Sequence, residues 1–260
     1  MRRFWQYLCI AAVAAAAALP LSVGAVRADG MAKRDKVVVD APWSWRGFYT
    51  GLHAGYGWGD ADHSITGSTF WATGTGGSGT FSQDLEGLVV GSHSGYNFQS
   101  GSWVYGAEWS VTRGPLNDHN KVSPFYPISD RWAVDIDWYA TLTGRLGYAF
   151  DRRLIYVKGG YAGGEVDSRV ADSVFAFTGA CIAGTCKAGE KEWHHGWTAG
   201  FGVAHAVLKN LVFGIEYNYV DLGKVDHSTA TSGTAGTVLL NESVDVQFHT
   251  VTARFTIKLD

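Results

Sequence analysis

Five charged residues, Glu108, Arg145, Lys158, Glu216 and Arg254, each sit in a stretch whose neighbours alternate between apolar and small or polar. Two carboxylates and three cations placed in this way could line a narrow ion path as its filter, or pair with one another and fill the space between them. Cys181 and Cys186 lie close together in a polar stretch. In an oxidising compartment they read as a disulfide, whereas a zinc site would have to recruit His194 and His195 as further ligands. His53, His93, His194, His195, His205 and His249 lie on or near alternating segments, and each could in principle join a serine and an aspartate in hydrolysis. No nucleophile motif accompanies any of them, so they read as interfacial or interior side chains. The glycine-rich stretch TGSTFWATGTGGSGTF is followed by no lysine and no helix start, which excludes a phosphate cradle. The reading therefore contains no catalytic residue, no metal and no cofactor, and the protein is expected not to be an enzyme.

The elements that must position these residues are strands. From Trp132 to Phe150 polarity alternates, with Trp132, Val134, Ile136, Trp138, Ala140, Leu142, Leu146, Tyr148 and Phe150 on one side and Asp135, Asp137, Tyr139, Thr141, Thr143 and Arg145 on the other. Similar alternation marks strands over about 46–58, 85–98, 102–112, 154–167, 193–207, 211–222 and 244–259, eight with 132–150. Residues 99–101, 151–153 and 208–210 are tight turns, while 59–84, 113–131, 168–192 and 223–243 are long polar links. Short turns at one end and long loops at the other describe an outer-membrane barrel, with both chain ends on the periplasmic side. Ten residues from Phe48 to Trp58 climb about 25 Å at a tilt of about 40°, the height of the apolar band. Trp45, Phe48, Trp58, Trp103, Trp109, Trp132, Trp138 and Trp197 are then the interfacial aromatics. A soluble barrel with its apolar face inward is the competing architecture, but the apolar sides are too large for so small a core and carry too many Trp and Tyr.

Composition agrees. Glycine (34), tryptophan (11) and tyrosine (12) are abundant and proline (5) is scarce. Residues 1–28 read as a cleaved signal peptide for the general secretory route, with Arg2 and Arg3 before an apolar run and small residues near Ala28. Removing Arg2, Arg3 and Arg27 from 21 basic residues leaves 18 against 24 acidic ones. A mildly acidic product disfavours nucleic acid as a partner. Residues 29–45 form an N-terminal periplasmic segment and 46–260 the barrel.

The stretch WRGFYTGLHAGYGWG, from Arg46 to Gly59, resembles the opening strand of the alphaproteobacterial outer-membrane immunogenic protein family, small surface antigens related to the OmpA-type eight-stranded barrel. GRLGYAFDRRLIYVKGGYA and EYNYVDLG resemble its fourth, fifth and seventh strands, and the resemblance runs from about Trp43 to Leu259. Such proteins usually finish on an aromatic residue that the barrel-assembly machinery recognises, whereas this sequence finishes on Leu259 and Asp260. The resemblance implies an all-β, eight-stranded, antiparallel up-and-down transmembrane barrel of a Gram-negative outer membrane. It also implies contact with outer-membrane lipid and lipopolysaccharide and a role in envelope integrity and surface presentation. The interior is expected to be closed by Glu108, Arg145, Lys158, Glu216 and Arg254. A small-solute porin and a loop-mediated adhesion or recognition protein are the alternatives, and the oligomeric state is left open.

Overall fold

The computed structural model describes residues 43–68, 79–122, 130–172, 187–233 and 236–259. Eight antiparallel strands close into a ring in chain order: β1 (Gly47–Ser68), β2 (Gly79–Ser100), β3 (Trp103–Val122), β4 (Asp130–Phe150), β5 (Arg153–Asp172), β6 (Lys187–Ala206), β7 (Leu211–Gly233) and β8 (Gly236–Leu259). Closure is made by β1 against β8, from Phe48 opposite Leu259 to Ser68 opposite Leu240. Two-residue turns at one end use left-handed backbone at Gly101 (φ 59°) and Asp151 (φ 54°), the latter a residue type that tolerates it through its short polar side chain.

The outer surface of the end that carries these turns is apolar. Phe48, Leu52, Leu88, Trp103, Leu142, Val157, Phe201 and Phe255 all point outward and remain exposed. Among the described residues, no exposed large apolar side chain lies beyond Leu88, Val111, Trp138, Tyr161 or Trp197 toward the far end. That limit marks the outer boundary of the lipid band.

The strands run far past it. β1 has 22 residues and β8 has 24, so each climbs about 50–60 Å at a tilt of about 40°, roughly twice the height of the band. Most of what the sequence presented as long loops is therefore strand. Those stretches are polar outside, but they alternate too, and Ala61, Ile65, Leu85, Leu116, Val166 and Val244 are buried inside them.

Beyond the band the ring opens its hydrogen bonding along two seams. Pairing of β6 with β7 stops at Trp197 opposite Asp221, although β6 stays paired to β5 and β7 to β8 to their distal ends. Pairing of β2 with β3 stops at Val90 opposite Arg113, apart from Glu86 opposite Asn117. Each seam begins at an irregularity, between Arg113 and Leu116 in β3 and between Asp221 and Gly223 in β7. Gly223 adopts φ 70°, the left-handed backbone that glycine reaches without a Cβ penalty. Two four-stranded sheets result, β3-β4-β5-β6 and β7-β8-β1-β2, packed over a shared apolar core. Leu116, Val134, Ile136, Tyr139 and Val166 of the first sheet cluster with Leu85, Val89, Leu222, Val246 and Phe248 of the second.

An irregularity between Ile136 and Trp138 corrects the reading of β4. The extra residue, Asp137, reverses the phase, so Trp132, Val134 and Ile136 point inward while Trp138 and Leu142 point outward. Trp132 is thus fully buried core, not an interfacial aromatic. Asp135 lies on the outer face with Asp167, where Arg169 pairs with both. Arg169 is itself exposed at 54 %, so these pairs contribute little stability. Trp45 is also reassigned. It is 5 % exposed and packs inside the turn end of the barrel with Val104, Leu154, Tyr156 and Val212, its indole N–H donating to the Asp151 carbonyl at 3.1 Å.

Candidate functional site

Strict alternation sends every second residue of β3, β4, β5, β7 and β8 into the lumen, and at one level those residues are Glu108, Arg145, Lys158, Glu216 and Arg254. The structure brings all five together. Lys158 Nζ lies 2.9 Å from Glu108 Oε1 and 2.9 Å from Glu216 Oε1, bridging the two carboxylates. Arg254 donates to Glu108 at 2.6 Å from Nη2 and 3.0 Å from Nη1, and the same Nη1 pairs with Glu216. Arg145 is 3.7 Å from Glu108, and its guanidinium carbon lies 3.6 Å from the centroid of the Tyr156 ring. None of the five is more than 9 % exposed.

Two tyrosines that the sequence reading left out complete the network. Tyr49 donates to Glu108 at 3.0 Å and Tyr156 to Glu216 at 2.7 Å. Their inward phase on β1 and β5 was the available signal, but tyrosine is also enriched at lipid interfaces. Glycines make room for them: a Cβ at Gly95 would stand 2.5 Å from the Tyr49 hydroxyl, and one at Gly202 would stand 2.5 Å from the Tyr156 ring and hydroxyl. With Arg145 on the ring's other side, Tyr156 has little room to yield. Gly202→Ala is therefore expected to cost about 1–3 kcal/mol by overpacking, read as an earlier midpoint in urea titration of vesicle-embedded protein.

Polar and apolar layers enclose this charged level. On its distal side His53 bonds Thr112 at 2.9 Å and His93 bonds Thr256 at 2.8 Å, with the two imidazoles 3.4 Å apart at their Nδ1 atoms. A cavity of about 20 Å³ lies there, and one of about 30 Å³ lies on the turn side against Trp43 and Trp45. Each has space for about one or two waters. Further out the interior becomes the apolar core of the two sheets. Among the described residues, no three His, Cys, Asp or Glu side chains are placed to hold a metal ion. Phe48, Trp103, Trp109, Trp138 and Trp197 face outward as interfacial aromatics should, and Trp58 stacks on His249 at 5.7 Å. Cys181 and Cys186 lie outside the described residues.

The sequence profile described as outer membrane protein beta-barrel domain matches residues 8–256. The chain belongs to that family. Its relatives include the 31 kDa outer-membrane immunogenic protein of Brucella melitensis biotype 1, 29 % identical across 92 % of this chain and 95 % of that protein. The 22 kDa outer membrane protein of Rhizobium leguminosarum bv. viciae is 28 % identical across 71 % of this chain and 67 % of that protein. Among solved structures, that of Ail, the attachment invasion locus protein of Yersinia pestis, matches with TM-score 0.36 at 12 % identity, covering 81 % of this chain and 99 % of that one. This member of the family is accordingly an outer-membrane β-barrel of the surface-antigen type, located in the cell outer membrane.

Proposed function

We propose that this barrel is a non-conducting outer-membrane protein that contributes to envelope integrity and carries surface-exposed segments on a rigid stalk. The observation that carries the reading is the charged knot itself. Glu108 and Glu216 are cross-linked by Lys158, 2.9 Å from each, and by Arg254, within an eight-stranded ring whose interior is only wide enough for side chains. Apolar layers on both sides of the knot favour occlusion, because an ion leaving the charges would meet Trp45, Val104 and Leu154 toward one end or Leu116, Ile136 and Phe248 toward the other. The stalk reading rests on strand length, since the two-sheet portion lifts the distal strand ends about 25–30 Å from the lipid band. The outward aromatics Trp138, Trp193, Trp197 and Tyr219 would then meet the lipopolysaccharide of the outer leaflet.

Single-channel recording of the refolded mature protein in a planar bilayer tests the proposal. A silent bilayer containing folded protein is the expected result. Reproducible steps that change with Arg145→Ala would overturn it in favour of a narrow porin. Adhesion through the distal segments is compatible with a silent lumen and is tested separately, by binding that vanishes when those segments are trimmed.

A further inference from the structure

The β6–β7 seam has lost its backbone ladder beyond Trp197 and Asp221, yet its edges are held together by side chains. His194 Nδ1 lies 3.3 Å from the Gly223 carbonyl, His194 Nε2 lies 3.1 Å from His227 Nε2, and Glu190 accepts the Ser228 backbone N–H at 3.0 Å. Both histidines are buried, at 0 % and 3 % exposure. Among the described residues, the other seam has no such pair. A glutamine, Gln83, crosses it instead, donating to the Trp132 carbonyl at 3.3 Å.

The contacts settle the tautomers. A carbonyl only accepts, so His194 carries its proton on Nδ1 and presents a lone pair at Nε2. His227 must donate from Nε2, which leaves its Nδ1 bare, and that atom is buried with no hydrogen-bond partner. A first added proton therefore goes to His227 Nδ1 and leaves the N–H···N bond intact and charge-assisted. A second proton has only His194 Nε2 to occupy, where it would point one N–H at another across 3.1 Å. The bond is then lost and two like charges remain buried together.

We propose that His194 and His227 form an acid-released clasp on the β6–β7 seam, holding the two extracellular sheets together until both rings are protonated. The charged groups around the pair are distributed to suit this. Glu242 of β8 is the cross-strand partner of His227 and also binds His63 of β1 and Ser168 of β5. On β6, Glu190 is bonded to the Ser228 backbone, and Glu192 and His195 flank His194. Lys224 and Asp226 of β7 are exposed, and Glu165 and Asp167 of β5 pair with Lys191. Among the described residues no carboxylate contacts His194; burial first, then His227 and His195, disfavour its charged form, and the Gly223 carbonyl opposes them. The second proton is therefore uncompensated, and its uptake parts the edges formed by residues 187–196 and 222–233.

Hydrogen–deuterium exchange of the full refolded barrel in lipid vesicles, at about pH 7.5 and about pH 4.5 and corrected for intrinsic exchange, tests the clasp. Protection of residues 187–196 and 222–233 is expected to fall at least about tenfold on acidification, while β4 and β5 within the lipid band and the β2–β3 seam are unchanged. His194→Gln with His227→Gln keeps a hydrogen-bonding pair without the charge, and the acid response should disappear from it. An equal response in that variant, or none in the wild type, overturns the proposal. Imidazole titration by NMR on the wild-type chain decides the matter without any substitution. Seam opening should follow protonation of His194, and opening that accompanies the first proton, on His227, would refute the mechanism.

Discussion

Replacing Glu108 by glutamine is expected to cost about 3–5 kcal/mol of unfolding free energy, measured by urea titration of the vesicle-embedded barrel. The Glu108 carboxylate receives Lys158 at 2.9 Å, Arg254 at 2.6 and 3.0 Å and Tyr49 at 3.0 Å, and it is 1 % exposed. Glutamine keeps the shape but offers a single acceptor oxygen, and its amide nitrogen must face a guanidinium. Lys158, Arg254 and Arg145 would then share only Glu216 in a site closed to bulk water. The magnitude comes from stranding buried charge more than from the attraction that is lost, and this has its own consequence. Replacing Glu108, Lys158, Glu216, Arg254 and Arg145 together by methionine should recover much of the loss, because a desolvated ion pair gives little net stability over apolar packing. A loss below about 1 kcal/mol for Glu108→Gln would mean that water reaches the charges, and the occluded lumen would fall with it.

The alternation that reveals the barrel in the sequence also reveals its charged interior, because within the lipid band one phase error is enough to place Glu216 or Arg254 in lipid. No such tolerance exists there, so the five charges could be assigned to the lumen from β3, β4, β5, β7 and β8 alone. Beyond the band both faces tolerate polar residues, and the constraint weakens. Ala61, Leu85 and Val244 are inward residues set among Asp, Ser, Thr and Gly, so a core is hard to tell from a loop. Irregular residues add to this. Asp137 sits where simple alternation would put a polar inward side chain, and the reversal it causes moves Trp132 from the interface to the core. The same holds for the seams: Gly223 is one glycine among 34, and only the observed pairing distinguishes it as the point where β6 and β7 part. Trp45 fails for a different reason. An aromatic residue just outside the first strand can cap the lumen or sit in the interface, and the choice depends on Gln99 and Asp151, which are distant in sequence.

Phe248→Ala is expected to loosen the two-sheet portion while leaving the lipid-embedded portion folded. Phe248 is fully buried, its ring centroid lies 5.1 Å from that of Tyr139 on the opposite sheet, and it belongs to the core that joins the two sheets. Truncating it removes a large side chain and leaves a cavity, at a cost of about 3–5 kcal/mol. In the lipid band that cost would be shared around a continuous hydrogen-bonded ring. Beyond it, two seams lack the ladder, so the sheets can separate without breaking strand pairing elsewhere, and local opening becomes the cheaper response. Protease added outside sealed vesicles at neutral pH should therefore cut the variant between the distal strand ends and the level of Trp138 and Trp197, leaving protected membrane fragments. Phe255→Ala is the matched comparison, since Phe255 lies on the same strand but faces lipid at 57 % exposure and touches no part of that core. Equal resistance of Phe248→Ala and Phe255→Ala to cleavage in the distal half would show that the apolar core does not hold the sheets together. The stalk would then owe its order to the β1–β8 and β4–β5 ladders, and acid opening at His194 and His227 would have no packed interface to release.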